Sequence, residues 1–187
     1  MDGGPVRGVR TGPAYEDERL SELARLAAAG SDRRIALGDD LVLVFESPAT
    51  VRAALEEQLR AERAADGERV AGEAAAFGAL LGEAHELAAT LYVEVADPLA
   101  LSDRLAEIAG VAQAVVLEVG GRRTVGRADE EDAGSGAFHL LFALDSGQRE
   151  ALAAGLPVSV RIDHPACRVT ATLAGGQVMA IGAALKR

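Results

Sequence analysis

The chain has 187 residues, a formal net charge of −10 and a pI near 4.8. So acidic a chain repels the phosphate backbone of nucleic acids, and no cluster of Lys and Arg with interleaved aromatic residues offsets this, so we expect no nucleic-acid partner. The longest mostly apolar run, Leu173 to Leu185, is interrupted by glycines and is too short to cross a bilayer.

The N-terminal residues are predicted to form a disordered tail ahead of a single domain. Residues 1–14 contain four glycines and two prolines and few large apolar side chains, so they lack the means to build a core. Residues 15–187 are long enough to fold as one α+β domain. Since the N-terminus has no apolar export segment and the single cysteine, Cys167, cannot form an internal disulfide, we expect a cytoplasmic protein.

Capping and turn residues predict where the helices and strands begin. Ser47 and Pro48 begin a helix, because Ser accepts a free N–H and Pro needs none at the first helical position. Gly38, Asp39 and Asp40 predict the turn of one hairpin, and Gly120 and Gly121 predict the turn of a second. The predicted elements, in chain order, are a helix at 16–29, strands at 33–37 and 41–46, helices at 48–65 and 68–81, a strand at 86–95, a helix at 97–109, strands at 114–119, 122–127 and 137–144, a helix at 146–154, strands at 157–162 and 168–173, and a helix that ends near 186.

The order of these elements predicts an α+β fold with a mixed, mainly antiparallel sheet and helices packed on it. Hairpins join neighbouring antiparallel strands, and the intervening helices allow crossovers. Aromatic residues make up only 3% of the chain and Trp is absent, so Ala, Leu and Val must fill the core. Cys167 is interpreted as a small core residue, with a nucleophile beside His164 as the alternative.

Six segments, in this order and at these spacings, resemble the bacterial domain-of-unknown-function family numbered 3501. They are RRIALG, LVLVFES, TVRAALEEQLRAER, HELAATLYVE, FHLLFAL and RIDHPA, and they span about Arg33 to Leu173. The resemblance implies no established activity. Members of the family often lie in gene neighbourhoods with rubrerythrin-like di-iron proteins and iron-sulfur oxidoreductases, which implies a role beside a redox system.

The resemblance also marks a set of polar positions. They are Arg34, Glu46, Arg52, Glu57, Arg60, Glu62, Glu73, Thr90, His139, Asp163 and His164. Among these, the candidate binding residues are Arg34, Arg52, Glu57, Arg60 and Glu62. The chain departs from the family pattern with Phe77 and Cys167 where Tyr is expected, and with Gln58 where Met is usual, so any role of those phenolic hydroxyls is lost here.

Glu62 is the candidate with the most specific physical argument. On a helix that extends to about residue 65, it lies within about 20 degrees of Val51 and Leu55, on the apolar stripe. A carboxylate that faces a core or an interface must be paired, protonated or bound to a metal. The structural alternatives are an ion pair with an arginine such as Arg33 or Arg34, and a helix end that reaches water.

Two histidines and two carboxylates predict a metal site. His139 lies in a predicted strand and His164 follows another, so both can approach one end of the sheet together with Asp163 and Glu62. Such a set suits iron, manganese or zinc. The histidines lack the close spacing of strong metal motifs. The alternatives are a turn role for His164, with its ring bonded to backbone, and a half-exposed strand position for His139. No other cofactor is predicted.

Three functions remain open. The leading hypothesis is a non-enzymatic accessory or binding protein that contacts a redox partner through the neighbouring hairpin and a charged helix face formed by Arg52, Glu56, Arg60 and Arg63. Neither a phosphate-binding loop nor a nucleophile elbow indicates an enzyme. One alternative is a small metal-binding protein or enzyme with the Glu, His and Asp site described above. The other is a structural protein that forms a homodimer through an Ala-rich helix face.

Overall fold

A computed structural model describes residues 6–128 and 135–185. The helices in these residues are α1 (Pro13–Glu16), α2 (Arg19–Gly30), α3 (Pro48–Ala61), α4 (Gly67–Ala79), α5 (Leu101–Glu107), α6 (Ser146–Ala153) and α7 (Gly175–Ala184). The strands are β1 (Arg34–Leu37), β2 (Leu41–Phe45), β3 (Glu86–Val93), β4 (Val115–Val119), β5 (Arg122–Val125), β6 (Arg127–Ala128), β7 (Ala137–Ala143), β8 (Val158–His164) and β9 (Cys167–Thr172). The predicted α+β class is confirmed. None of the helices in the two described ranges is long and apolar enough to pass through a bilayer.

Local chemistry explains where several elements begin and turn. Ser47 caps α3, since its hydroxyl accepts the N–H of Thr50 at 3.2 Å while Thr50 Oγ1 accepts the N–H of Ser47 at 2.8 Å. This reciprocal cap and Pro48 begin the helix soon after β2. The β4–β5 hairpin turns through Gly120 (φ 56°) and Gly121 (φ 80°). Positive φ angles at both central residues are what a two-residue type I′ hairpin turn requires.

The strands form two sheets, whereas the sequence predicts one. The five-stranded sheet has the order β1-β2-β3-β7-β6 and the four-stranded sheet the order β5-β4-β8-β9, and all pairings among the described residues are antiparallel. The chain passes from one sheet to the other at Gly126, whose N–H bonds to the carbonyl oxygen of Val115 at 2.9 Å. A Cβ at Gly126 would lie 3.0 Å from the ring of Phe142, so glycine allows the strand to cross closely over this ring.

One hydrophobic core joins the two sheets, and the opposite face of the five-stranded sheet lies under α3 and α4. The core includes fully buried residues from both sheets, among them Leu43, Leu91, Leu117, Leu140 and Val160. Because side chains alternate along a strand, the neighbours of the core residues point to the other face. Thr90 of β3 and His139 of β7 are paired on this outer face.

The N-terminal segment, residues 6–14, lies against α3 and α4, although the sequence predicts a disordered tail through residue 14. Val6 and Val9 pack on a small apolar cluster of these two helices. The N–H of Val6 donates to the carbonyl oxygen of Ala74 at 3.0 Å. The few apolar side chains of this segment become buried because other parts of the chain supply the surface. Residues 1–5 of the predicted tail lie outside the described residues.

Candidate functional site

Glu62 does not face the core, contrary to the prediction. Helix α3 ends at Ala61, and Arg63 has a positive φ of 53°, so the chain leaves the helix at this point. The side chain of Glu62 is 38% exposed and pairs with Arg69 at the end of α3, so it has the structural role that was the alternative to a buried carboxylate. The prediction fails because it projects the apolar stripe along a helix that ends several residues earlier than expected.

The four residues predicted as metal ligands lie in three separate places. Glu62 is at the end of α3, His139 is on the five-stranded sheet, and Asp163 and His164 are at the end of β8 in the four-stranded sheet. His164 has the turn role, because its Nδ1 accepts a backbone N–H at 3.2 Å and its Nε2 lies 3.0 Å from a backbone carbonyl oxygen. In the part of the chain that the structure describes, no group of three or more His, Cys, Asp or Glu side chains is arranged to hold a metal ion.

The buried carboxylate of α3 is Glu56, which the sequence assigns to a solvent-facing charged stripe. Its side chain is 0% exposed. Arg10 donates three hydrogen bonds to it, from the backbone N–H at 2.9 Å, from Nε at 3.0 Å and from Nη2 at 2.8 Å. Arg52 Nε lies 4.0 Å from Oε1 of Glu56. Local patterns miss this pair, since Arg10 and Glu56 are 46 residues apart and only the folded chain brings them together.

The charged face of α3, predicted to contact a partner, is partly covered by the N-terminal part of the chain itself, which lies over Arg52 and Glu56 and leaves Arg60 and Arg63 exposed. Arg52 pairs with Glu22 of α2 at 2.9 Å, and Arg60 pairs with Glu16 of α1 at 2.6 Å. Hydrogen bonds from Arg25, and to a smaller extent from Arg52, lower the pKa of Glu22 to about 2. This face therefore serves to attach α1 and α2 to α3.

Glu57 and Arg34, also predicted as binding residues, have partners within the chain. Glu57 accepts the hydroxyl of Tyr15 and two hydrogen bonds from Arg19, at 2.5 and 2.8 Å. The bond from Arg19, followed by the bond from Tyr15, lowers the pKa of Glu57 to about 2. Arg34 on the edge strand β1 pairs with Glu94 at 2.5 Å, and both side chains are about half exposed.

A cleft of about 150 Å³ lies between α3, α4 and the outer face of the five-stranded sheet. Glu46 follows β2, Thr90 is on β3, and His139 is opposite Thr90 on β7. Oε1 of Glu46 accepts the hydroxyl of Thr90 at 2.8 Å, and Oε2 accepts the hydroxyl of Thr50 at 2.7 Å. These two bonds hold the carboxylate of Glu46 in one orientation at the cleft.

Within the described residues, one nitrogen of this cleft has no hydrogen-bond partner, and its carboxylate has no cationic partner. Nε2 of His139 is buried and has no hydrogen-bond partner within the described residues. Glu46 takes part in no ion pair there. Burial, followed by the negative charge of Glu46, raises the pKa of Tyr92, whose side chain also lines the cleft. Buried polar groups in folded proteins are almost always satisfied, so this unpartnered nitrogen indicates a place for a ligand.

Apolar side chains form the rest of the cleft. Val51 and Ala54 come from α3, Phe77 from α4, and Leu80 from the end of α4. Leu80 and Tyr92 are 37% and 36% exposed, so the cleft opens to solvent between them. Phe77 stands where the family pattern has Tyr, which makes this wall apolar. Apolar walls with a few fixed polar groups are typical of sites for small ligands.

The polar positions marked by the family resemblance predict some of the residues that line this cleft. Its polar positions include Glu46, Thr90 and His139, which meet here, while only His139 is predicted as a metal ligand. Strand alternation predicts that His139 points away from its apolar neighbours Phe138 and Leu140. The register that pairs Thr90 with His139 depends on which strands become neighbours, so it was not predictable from the segments themselves.

Comparison with known proteins agrees with the family resemblance. No curated protein matches the chain. The chain is similar to the crystal structure of a novel protein of unknown function from Burkholderia pseudomallei K96243, with 28% sequence identity, coverage of 94% of this chain and 95% of that chain, and a TM-score of 0.87. The model of the family described as protein of unknown function (DUF3501) matches residues 9–185. Since this match covers nearly the whole chain, the protein belongs to that family.

Proposed function

We propose that this protein is a binding protein whose ligand site is the cleft lined by Glu46, Thr90, Tyr92 and His139. The observation that carries the proposal is that, among the described residues, Nε2 of His139 has no hydrogen-bond partner and the Glu46 carboxylate of the same cleft has no cationic partner. A buried polar group without a hydrogen bond costs about 1–3 kcal/mol.

The chemistry of these side chains favours binding over catalysis. The hydroxyl of Thr90 donates to Glu46, and burial raises the pKa of the Tyr92 phenol. The thiol of Cys167 lies on the other sheet, and burial raises its pKa. An activated thiol or phenol has a lowered pKa, whereas the pKa values of Cys167 and Tyr92 are raised. We therefore propose a role without catalytic activity.

The ligand site is tested by filling it without changing its polar groups. Ala54 is exposed and lines the cleft, so Ala54→Trp should occupy the space of a ligand. Amide shifts in ¹⁵N NMR spectra, recorded with a library of small amphipathic compounds, should map to the cleft in the natural protein and disappear in Ala54→Trp. Ala61→Trp, at another exposed position of α3, is the matched control. Shifts elsewhere, or shifts that persist in Ala54→Trp, would reject this site.

The class of partner follows from the family resemblance. We propose that the protein acts in the cytoplasm beside a rubrerythrin-like protein or an iron-sulfur oxidoreductase. The net charge of −10 favours a partner with a basic surface. Affinity purification from native lysate, with identification by mass spectrometry, should return such a redox protein. Recovery of no specific protein, together with a monomeric gel-filtration profile, would count against this association.

Metal binding is a second candidate, favoured by the imidazole and the carboxylate that share the cleft. His139 and Glu46 supply two ligand types that suit iron, manganese or zinc. Elemental analysis of protein purified without an affinity tag discriminates between the candidates. Stoichiometric metal that is lost in His139→Ala supports a metal site, whereas metal-free protein that still binds a compound in the cleft removes it. Homodimer formation stays a prediction, which sedimentation at several protein concentrations tests.

A further inference from the structure

The cleft has the electrostatic character of a site for a cation. Among the described residues that line it, Glu46 supplies the one carboxylate, and none is Arg or Lys. The hydroxyls of Thr50 and Thr90 each donate one hydrogen bond to this carboxylate. An ionised carboxylate offers about four acceptor positions, so acceptor capacity remains after both bonds. The negative charge is therefore held in place and is not neutralised.

The remaining acceptors of the cleft match the donors of an ammonium group. A primary ammonium carries three N–H donors and no acceptor. Glu46 provides a charged acceptor with room for more than one of these donors, and the hydroxyl of Tyr92, which also lines the cleft, is a neutral acceptor. The aromatic rings of Phe77 and Tyr92 also line the cleft, and aromatic faces attract cations.

The apolar walls define what the ammonium group is attached to. Val51 is 4% exposed, and it lines the cleft together with Ala54, Phe77 and Leu80. A ligand that carried charge along its whole length would bury it against these side chains at a high cost. A stem of a few methylene groups matches them, since burial of each methylene against apolar side chains is favourable.

We infer that the cleft binds a primary ammonium group at the end of a short aliphatic stem, with the carboxylate of Glu46 as the counter-ion. This inference rests on the proposed function and names the class of its ligand. The same chemistry occurs in a free alkylamine and in the lysine side chain of a protein partner. Each has an aliphatic chain of about four carbon atoms that ends in an ammonium group. The experiment therefore includes a probe for each source.

The test compares probes that share a stem and differ in the end group. The full-length protein is titrated with n-butylamine, n-butanol and butyrate at pH 7.5, and amide shifts of the cleft residues are followed by NMR. The amine is expected to bind about tenfold more tightly than the alcohol, because a hydrogen bond to an ionised carboxylate is worth more than a neutral one. Butyrate is expected to bind most weakly, since its charge has the sign of Glu46.

The variants assign the preference to one side chain. Glu46→Gln is expected to weaken n-butylamine binding about tenfold and to remove the preference over n-butanol. Glu62→Gln, an exposed carboxylate outside the cleft, is the matched control and should leave both affinities unchanged. The thermal unfolding midpoint of each variant shows whether it is folded. The comparison of the three probes on the natural protein tests the inference even if a variant does not fold.

A pair of blocked peptides distinguishes the two sources of the ammonium group. The first peptide is acetyl-Ala-Lys-Ala-amide, and the second has norleucine in place of lysine. Tighter binding of the lysine peptide than of both n-butylamine and the norleucine peptide supports a lysine of a partner protein. n-Butylamine that binds while the lysine peptide does not supports a free amine. Equal affinity for n-butylamine and n-butanol overturns the inference, and so does an unchanged affinity of Glu46→Gln for n-butylamine. In either case the proposed function survives if Ala54→Trp still blocks binding. Absence of binding by every probe overturns the inference as well.

Discussion

The pair formed by Arg10 and Glu56 should control the attachment of the N-terminal segment and a large share of stability. The carboxylate of Glu56 is fully buried and accepts three hydrogen bonds from Arg10. Two of these bonds come from the guanidinium, and the third comes from the backbone N–H. Arg10→Met keeps the backbone N–H bond and most of the apolar stem but removes the positive charge. Removal of one partner from a buried ion pair costs about 3–5 kcal/mol, because the other charge stays buried without compensation.

The geometry favours the lower end of that range. Arg52 Nε lies 4.0 Å from the carboxylate and retains part of the compensating charge, so we expect Arg10→Met to lower the free energy of unfolding by about 3 kcal/mol. Urea denaturation followed by far-UV circular dichroism measures this loss. The double variant Arg10→Met, Glu56→Gln should be more stable than Arg10→Met alone, since it removes the uncompensated charge.

An exposed pair of the same kind provides the control. Arg60 pairs with Glu16 at 2.6 Å, and their side chains are 43% and 52% exposed. Arg60→Met should therefore cost less than about 1 kcal/mol. Hydrogen exchange adds a local measurement, since the N–H of Val6 bonds to Ala74 and should exchange faster in Arg10→Met. Arg10→Met that costs no more than Arg60→Met would refute the argument that burial of Glu56 makes the pair important.

Acid should weaken the attachment of α1 and α2 to α3. The folded-state pKa values of Glu22 and Glu57 are lowered from 4.5 to about 2, so their contribution is present above pH 4.5 and is lost as the pH falls towards 2. Such a shift corresponds to about 3 kcal/mol in a shielded pair, and solvent screening reduces it to about 1 kcal/mol each here. The midpoint of urea unfolding should decrease as the pH is lowered from 5.5 to 3, and it should decrease less steeply in the double variant Glu22→Gln, Glu57→Gln. Equal pH dependence in the natural protein and the double variant would contradict this. Ser47→Ala should cost about 1 kcal/mol through loss of the cap of α3, and an unchanged thermal midpoint would contradict that.

Local chemistry made much of the fold predictable. The cap of α3 at Ser47 and the glycine turns of the two hairpins depend on residues that are neighbours in the sequence, so their effect does not require the rest of the fold. The same holds for the alternation in β4, where every second side chain is apolar and faces the core. These features also carried the family resemblance, which the match over residues 9–185 confirms.

The candidate site was less predictable, because small local differences changed which side chains are buried. The end of α3 at Ala61 leaves Glu62 exposed, and the N-terminal segment covers Glu56. A helical projection contains neither the true end of a helix nor the segments that pack on it. It therefore identifies a charged helix face without identifying which of its carboxylates is buried.

By itself, the sequence determined the α+β class, the hairpins, the start of α3 and the acidic surface, because each depends on composition or on interactions between near neighbours. Only the tertiary structure decided the division into two sheets at Gly126, the burial of Glu56 beneath Arg10, and the meeting of Glu46, Thr90 and His139 in one cleft. These features join residues that are far apart in the chain. Their free energies depend on which surfaces become neighbours when the chain folds, and no local pattern records that choice.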